Sequence, residues 1–92
     1  MAVVMVQDAS AASLAQYDQV VKELEAAGQG NPLGRLSHVC ARKEGGYLVV
    51  DVWESQEAFD RFAQTLVPLL ERAGGAMGQP NFYPLHNAIK GR

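Results

Sequence analysis

The segment VVDVWESQEAFDRF, residues 49–62, changes its hydrophobic rhythm halfway. Its first part, up to Trp53, is rich in β-branched and aromatic residues, which is typical of a strand. From Ser55 onward the apolar residues follow helical spacing, and serine is a preferred residue at the start of a helix. The segment therefore predicts a strand that runs directly into an amphipathic helix. Asp51 places a charge inside that strand, where burial is expected.

The first part of the chain also predicts a strand followed by a helix. Residues 2–7 are short and Val-rich, which favours a strand. Ser13 and Gln16 have the spacing of a capping box, in which each side chain satisfies a backbone N–H at the helix start. An apolar stripe follows, and Gly28 is the expected end of this first helix.

Two strands are predicted on either side of the turn KEGG, residues 43–46. They cover residues 35–42 and 47–53. Glu44 and Gly45 suit a two-residue hairpin loop, because glycine tolerates the positive φ that such turns need.

Three further segments complete the chain. Pro68 is expected to kink or interrupt the second helix, because proline lacks an N–H and its ring clashes with the preceding turn. Residues 81–89 predict a last strand. The Gly-rich segments 28–34 and 74–80 are predicted loops and candidates to close a pocket.

The predicted order β-α-β-β-α-β is that of a ferredoxin-like α+β domain with a four-stranded antiparallel sheet. We expect residues 1–92 to form this one domain. Two helices cover only one face of such a sheet, so the other face must contact water or another subunit. Because both hairpin faces contain apolar residues, we expect a homodimer.

Composition narrows the classes of partner. Eight basic and ten acidic residues give a net charge of −2, which does not favour binding to nucleic acid or to an anionic membrane. No apolar run approaches the roughly 20 residues of a membrane span. The N-terminal sequence does not resemble a signal peptide. Cys40 is the single cysteine, so no disulfide framework is expected, and we predict a cytoplasmic protein.

The hairpin register decides which side chains share a face. With Glu44-Gly45 as the loop, His38 opposes Asp51 and Leu36 opposes Trp53. One face then carries His38, Cys40, Tyr47, Val49, Asp51 and Trp53. The opposite face carries Ser37, Val39, Ala41, Leu48, Val50 and Val52.

A neighbouring His38–Asp51 pair allows two interpretations. It is either an acid–base site with an aromatic wall or an ion pair that only satisfies two polar side chains. Trp53 is likewise either a wall residue or part of the core. In the last strand, His86 is expected in the same cavity as His38 or at the dimer interface. No tight histidine spacing indicates a metal site, so none is predicted.

The stretch YLVVDVWESQEAFDRF, residues 47–62, resembles the antibiotic-biosynthesis-monooxygenase-like group of the dimeric α+β barrel superfamily. The matching features are an apolar strand that ends in tryptophan and a helix with small and aromatic residues. The residues concerned are Trp53, Ser55, Ala58, Phe59 and Phe62. The ending FYPLHN is similar to that of uncharacterised bacterial members of the superfamily.

The resemblance implies a fold, a pocket and a chemistry. Two protomers would pack sheet against sheet into a barrel, with a ligand pocket between sheet and helices in each. Some members oxidise aromatic polyketides without metal or flavin: a base removes a proton, and the resulting anion reacts directly with dioxygen. We therefore predict no cofactor and a small-molecule ligand. The resemblance implies His38 as base, Asp51 as its orienting partner, and Trp53 and Tyr83 as the aromatic wall of the substrate site. We also predict His86, Tyr17 and Phe62 as substrate-binding residues.

Other members of the superfamily suggest alternatives. Haem-degrading members carry a tryptophan where this chain has Phe62 and a ligating histidine where it has Arg72, so haem degradation is not expected. A cyclase or isomerase could use the same base without oxygen. A non-catalytic small-molecule-binding or regulatory dimer is the third alternative, because fold alone does not define function.

Overall fold

The structure is a computed structural model that describes residues 1–10, 13–74 and 79–91. Its elements follow the predicted order β-α-β-β-α-β. They are β1 (Val3–Ser10), α1 (Leu14–Ala26), β2 (Arg35–Lys43), β3 (Gly46–Trp53), α2 (Gln56–Arg72) and β4 (Asn81–Pro84). Of the predicted loop 74–80, residues 75–78 lie outside the described part of the chain.

The four strands form one sheet in the order β2-β3-β1-β4, and each neighbouring pair is antiparallel. This arrangement confirms the predicted ferredoxin-like α+β fold. Strand β1 pairs with β3 from Val3 to Ser10. It therefore extends beyond the predicted end at Gln7, because the neighbouring strand supplies hydrogen-bond partners along its whole length.

The last strand is shorter than predicted. It ends at Pro84 instead of residue 89. Proline has no N–H to donate, and β4 is an edge strand, so only β1 is available for pairing. One further backbone hydrogen bond joins Leu85 N–H to the carbonyl of Ala2 at 2.9 Å.

Both helices begin at the predicted capping residues. Ser13 and Gln16 form the capping box of α1, and Ser55 accepts a hydrogen bond from the backbone N–H of Ala58 at the start of α2. Helix α2 continues through Pro68, so the predicted interruption does not occur there, whereas the alternative of a kink stays a prediction. Pro68 lies on the exposed side of the helix, while Leu69 beside it packs into the core. In the described ranges, no helix is long and apolar enough to cross a membrane.

Both helices pack against the same face of the sheet, and the core lies between the helices and the sheet. Trp53 is fully buried there, and Met5 is nearly so. The buried apolar residues of this core are Met5, Ala9, Val20, Leu24, Tyr47, Val49, Trp53, Ala58, Phe59, Phe62 and Leu69. The sheet face that carries Asp51 is therefore the face covered by the helices.

The register of the hairpin has one irregularity. Opposed residues match the predicted register from Lys43 back to Ser37, but a shift between Arg35 and Ser37 marks a β-bulge. Arg35, not Leu36, opposes Trp53, and Leu36 is 62% exposed. The prediction for Leu36 is thus wrong, because a bulge inserts one extra residue into one strand.

The second face of the sheet is apolar and carries no helix. Val39 and Tyr83 expose 58% and 54% of their surfaces there. Val50 and Val52 on β3 and Val4 on β1 are only half-buried. Alternation explains this pattern, since neighbours of the core residues along each strand point to the opposite side.

Candidate functional site

The β2–β3 hairpin places an imidazole opposite a carboxylate. Glu44 and Gly45 form the loop, and Gly45 has the positive φ of 80° that the turn requires. The register then brings His38 directly across from Asp51, as predicted. Both side chains lie on the sheet face covered by the helices.

A chain of hydrogen bonds runs through these residues. Nδ1 of His38 lies 2.5 Å from Oδ1 of Asp51, and Nε2 lies 2.6 Å from the hydroxyl of Tyr17. A carboxylate can only accept, so Nδ1 carries the hydrogen and donates it. In the neutral imidazole, Nε2 is then the acceptor, and the Tyr17 hydroxyl donates to it. The arrangement thus presents a basic nitrogen on the far side of the ring from Asp51.

Asp51 is buried, and two N–H groups hold it. Its second oxygen, Oδ2, accepts a hydrogen bond from Nε1 of Trp53 at 3.1 Å. The side chain of Asp51 is 4% exposed, whereas that of His38 is 25% exposed. A buried carboxylate without partners would be costly, and these two bonds offset that cost. They also fix the plane of the carboxylate and, through it, the orientation of the imidazole.

A cavity of about 480 Å³ lies between the sheet and the two helices. This volume is within the range of about 300–1,000 Å³ that is usual for small-molecule sites. Its lining is mainly apolar, and the polar side chains in it include those of His38, Tyr17, Gln7 and Arg35. The lining residues of α2 and of the turn after it are Phe62, Leu66, Leu70 and Ala73.

Tyr17 brings α1 to the imidazole. Its ring lies edge-on to Tyr47 at 5.3 Å and parallel to the His38 ring at 6.1 Å between centroids. Burial is the largest cause that raises the pKa of Tyr17 to about 12, and the neighbouring Cys40 adds to it. Tyr17 therefore keeps its proton at neutral pH and acts as a hydrogen-bond donor.

Burial also affects two groups beside Tyr17. It raises the pKa of the Cys40 thiol and the pKa of the Tyr47 hydroxyl. The thiol form of cysteine is a weak nucleophile, so Cys40 has no activated sulfur at neutral pH. Among the side chains at this end of the cavity, His38 presents a ring nitrogen with a lone pair, which is the kind of group that serves as a general base.

The structure brings together four of the seven residues predicted for the site. His38, Tyr17 and Phe62 line the cavity, and Asp51 is hydrogen-bonded behind His38. Trp53 does not line the cavity: its ring is fully buried, 5.5 Å from Phe62 between centroids. Its contact with the site is the Nε1 hydrogen bond to Asp51.

Tyr83 and His86 do not line the cavity, so the structure does not bring them beside His38; the alternative position of His86 at a dimer interface stays a prediction. Phe82 packs against the core, at 5.2 Å from Phe59 between ring centroids, so its neighbour Tyr83 points to the other face of the sheet. His86 is exposed and follows the end of β4. The early end of β4 removes the regular alternation that would bring His86 to the same face as Phe82.

Gln7 and Arg35 are two of the polar cavity residues that were not predicted from the sequence. Gln7 is a buried polar residue in a Val-rich strand, and its alternation with the half-buried Val6 could have revealed it. Arg35 reaches the cavity only because of the bulge beside it, and a regular register would have placed it on the opposite face. A bulge of this kind leaves no clear signal in a single sequence.

The described residues do not assemble a metal site. No group of three or more His, Cys, Asp or Glu side chains in the ranges 1–10, 13–74 and 79–91 is placed to hold a metal ion.

No protein-family model and no curated protein matches this chain. Solved structures do match it. A proposed antibiotic biosynthesis monooxygenase from Deinococcus radiodurans has a TM-score of 0.61 at 17% identity, with 100% of this chain and 99% of that chain covered. A proposed antibiotic biosynthesis monooxygenase from Caulobacter crescentus CB15 has a TM-score of 0.53 at 22% identity, covering 97% of this chain and 89% of that one.

A third solved structure contains a ligand. It is a monooxygenase from the gene ActVA-Orf6 of Streptomyces coelicolor in complex with nanaomycin D. Its TM-score is 0.53 at 23% identity, with 99% of this chain and 91% of that chain covered. The resemblance inferred from residues 47–62 is confirmed at the level of the fold, which these proteins share with the present chain.

Proposed function

We propose that this protein is a cofactor-independent monooxygenase that acts on a small aromatic, polyketide-like molecule. The main support is the hydrogen-bonded chain Asp51–His38–Tyr17, which ends in a cavity of about 480 Å³. The fold it shares with monooxygenases, one of them in complex with nanaomycin D, adds support. The cavity is apolar enough for an aromatic ring and offers a base at one point of its wall.

The first chemical step is removal of a proton from the substrate. A phenolic hydroxyl of the substrate takes the place of the Tyr17 hydroxyl at Nε2 of His38, and Nε2 accepts its proton. Asp51 accepts the Nδ1 hydrogen bond and stabilises the imidazolium that forms. Tyr17, which keeps its own proton, then donates a hydrogen bond to the substrate oxygen and stabilises the anion.

The second step needs only dioxygen. The electron-rich anion of a phenol with a free para position reacts with O₂ at that carbon. Loss of water then gives the para-quinone: one oxygen atom enters the product, and the other leaves as H₂O. The phenol is the electron donor for both oxygen atoms, so no flavin, metal or external reductant is required. The protein's contribution is deprotonation, orientation and stabilisation of the anion.

We also propose that the protein is a homodimer whose uncovered sheet face is the interface. Val39 and Tyr83 are more than half exposed on that face, and the half-buried valines of β1 and β3 lie beside them. A continuous apolar surface of this kind usually marks an interaction site. A second copy packed sheet against sheet, as the family resemblance implies, would cover it and leave both cavities on the outer, helix-covered sides.

An oxygen-uptake assay tests the proposed reaction. We expect the protein to consume O₂ with 1-naphthol or anthrone as substrate and to form the corresponding quinone. His38→Ala should lower the turnover by about a hundredfold or more, which is the usual contribution of a general base. His86→Ala provides the comparison, because this exposed imidazole lies outside the cavity, and its turnover should equal that of the wild type. Equal turnover in His38→Ala would remove His38 from the mechanism.

A binding function without catalysis is the second candidate, and one observation favours it. The Tyr17 hydroxyl already satisfies Nε2 of His38 at 2.6 Å, as it would in a purely structural network. Saturable binding of both aromatic compounds without O₂ uptake would support a binding module. Product formation under nitrogen would instead indicate a cyclase or isomerase that uses the same base.

A further inference from the structure

The bulge in β2 places a positive charge in the cavity. Arg35 is the first residue of β2. A regular alternation would put it on the same face as Val39, which is the sheet face that the helices do not cover. The register shift between Arg35 and Ser37 instead sets it opposite Trp53, on the face of His38. Bulges commonly re-aim one side chain next to a functional site. Here the re-aimed side chain is among those that line the cavity.

The guanidinium of Arg35 is fixed in position and has no acidic partner among the described residues. Its Nη2 donates to the carbonyl of Gly30 at 3.0 Å, and its Cζ lies 5.9 Å from the centre of the Phe62 ring. It forms no ion pair with a carboxylate in the described part of the chain. A guanidinium has five N–H donors in a planar fork, so donors remain for a ligand. The hydrogen bond to Gly30, in the loop before β2, and the contact with Phe62 on α2 hold the Arg35 side chain at the cavity wall.

The charged side chains that line the cavity differ in sign and in position. Among the described lining residues, Arg35 is the one with a permanent positive charge, and Glu25 at the exposed end of α1 carries a negative charge. The positive charge of Arg35 acts on the Tyr17 hydroxyl and favours its ionised form, against the larger effect of burial. Arg35, Tyr17 and His38 all line the same cavity, so a ligand in it can contact the guanidinium and the Tyr17–His38 pair together.

We propose that the ligand is an aromatic hydroxy acid, with its carboxylate held by Arg35 and its hydroxyl directed to His38. This inference rests on the proposed function and adds the class of substrate. The two anchoring residues oppose Trp53 and Asp51, which are two positions apart on β3, a rise of about 7 Å along the strand. Two or three fused rings with polar groups at opposite ends fit such a span. Arginine suits the carboxylate end because its fork binds carboxylates through two parallel hydrogen bonds.

Calorimetric titrations with three compounds separate the two ends of the ligand. They are 5-hydroxy-1-naphthoic acid, 1-naphthol and 1-naphthoic acid, measured at low salt. We expect the wild type to bind the hydroxy acid about tenfold more tightly than 1-naphthol, the lower end of what a charged hydrogen bond contributes in a partly exposed site. Arg35→Gln should abolish this preference and leave the affinity for 1-naphthol unchanged.

Two variants make the result specific. Arg35→Lys keeps the charge but loses the fork, so it should retain part of the preference for the hydroxy acid. Arg42→Gln removes an exposed arginine of the same strand that does not line the cavity, and its preference should equal that of the wild type. Circular dichroism of each variant establishes that the fold is intact. If Arg35→Gln is unfolded, the comparison of Arg35→Lys with the wild type provides the test.

The outcomes distinguish this inference from the proposed function. If the hydroxy acid binds no more tightly than 1-naphthol, or if Arg35→Gln keeps the preference, the role of Arg35 is overturned, whereas turnover of 1-naphthol would leave the oxygenase proposal standing. Binding of 1-naphthoic acid alone, without any gain from the hydroxyl, would support Arg35 and count against His38. If none of the three compounds binds, both the substrate class and the proposed function are contradicted.

Discussion

His38 and Asp51 are directly opposed on β2 and β3, and their side chains meet at 2.5 Å on the helix-covered face of the sheet. The partners on either side of the pair give it a direction. Trp53 donates to the far oxygen of Asp51, and Tyr17 lies at the far nitrogen of His38. One end of this series is therefore in the core and the other in the cavity, so a ligand in the cavity would contact the series at its Tyr17 end.

The Trp53 hydrogen bond should be measurable as a coupling with Asp51. Trp53→Phe removes the Nε1 donor and leaves Oδ2 of buried Asp51 without that partner, so we expect a loss of about 1–3 kcal/mol in the free energy of unfolding. In an Asp51→Asn background the same change should cost less, by about 1 kcal/mol. Urea unfolding followed by circular dichroism measures both values. Strictly additive losses would mean that the indole contributes by packing alone.

Tyr17 should ionise far above the usual pH. At pH 11 an ordinary tyrosine, with a pKa of about 10, is mostly ionised, whereas burial raises the pKa of Tyr17 to about 12. The difference in phenolate absorbance between the wild type and Tyr17→Phe reports this group alone. Because the unfolded chain releases the proton first, Tyr17 should make the folded state less stable as the pH rises from about 10 to 12. A difference titration centred near 10 would contradict the burial of this hydroxyl.

The uncovered sheet face should control the association of protomers. Val39→Glu places a charge on that face without disturbing the core, since Val39 is already 58% exposed within the protomer. We expect sedimentation equilibrium to give the mass of two chains for the wild type and of one chain for the variant. Leu33→Glu is the matched control, because Leu33 is 88% exposed but lies in the loop before β2. A wild-type protein with the mass of one chain would exclude the proposed dimer.

Two glycines with similar backbone angles should differ in their tolerance of a side chain. Gly34 has a φ of 92°, and a Cβ there would lie 2.7 Å from the Cβ of Ala58, whereas Gly45 has a φ of 80° with open space around it. Alanine at either position carries the strain of a positive φ, about 1–2 kcal/mol. Gly34→Ala should cost about 1–3 kcal/mol more because of overpacking against α2. Equal losses in chemical unfolding would show that α2 moves away without cost.

Much of this architecture is readable from local patterns in the sequence. The hairpin register depends on the two-residue loop Glu44-Gly45, so the opposition of His38 and Asp51 could be predicted. The helix starts at Ser13 and Ser55 likewise depend on side chains that bond to their own backbone. Interactions of this kind act within a few residues, so they do not depend on contacts with distant parts of the chain.

The features that were missed depend on contacts between distant segments. The bulge that redirects Arg35 depends on the pairing of β2 with β3, and the end of β4 depends on how far β1 can pair with it. The placement of Trp53 beneath the cavity, and not on its wall, follows from how α2 packs on the sheet. Sequence periodicity indicates which face a residue occupies but not its depth in the core.

The account depends on which nitrogen of His38 carries the hydrogen in the ligand-free protein, and nitrogen-15 NMR of the imidazole measures this directly. We predict that the neutral ring is protonated at Nδ1, towards Asp51, with Nε2 unprotonated and facing Tyr17 and the cavity. The Tyr17→Phe variant should show the same tautomer, because Asp51 determines it. A ring protonated at Nε2 would leave no base in the cavity and would contradict the proposed mechanism.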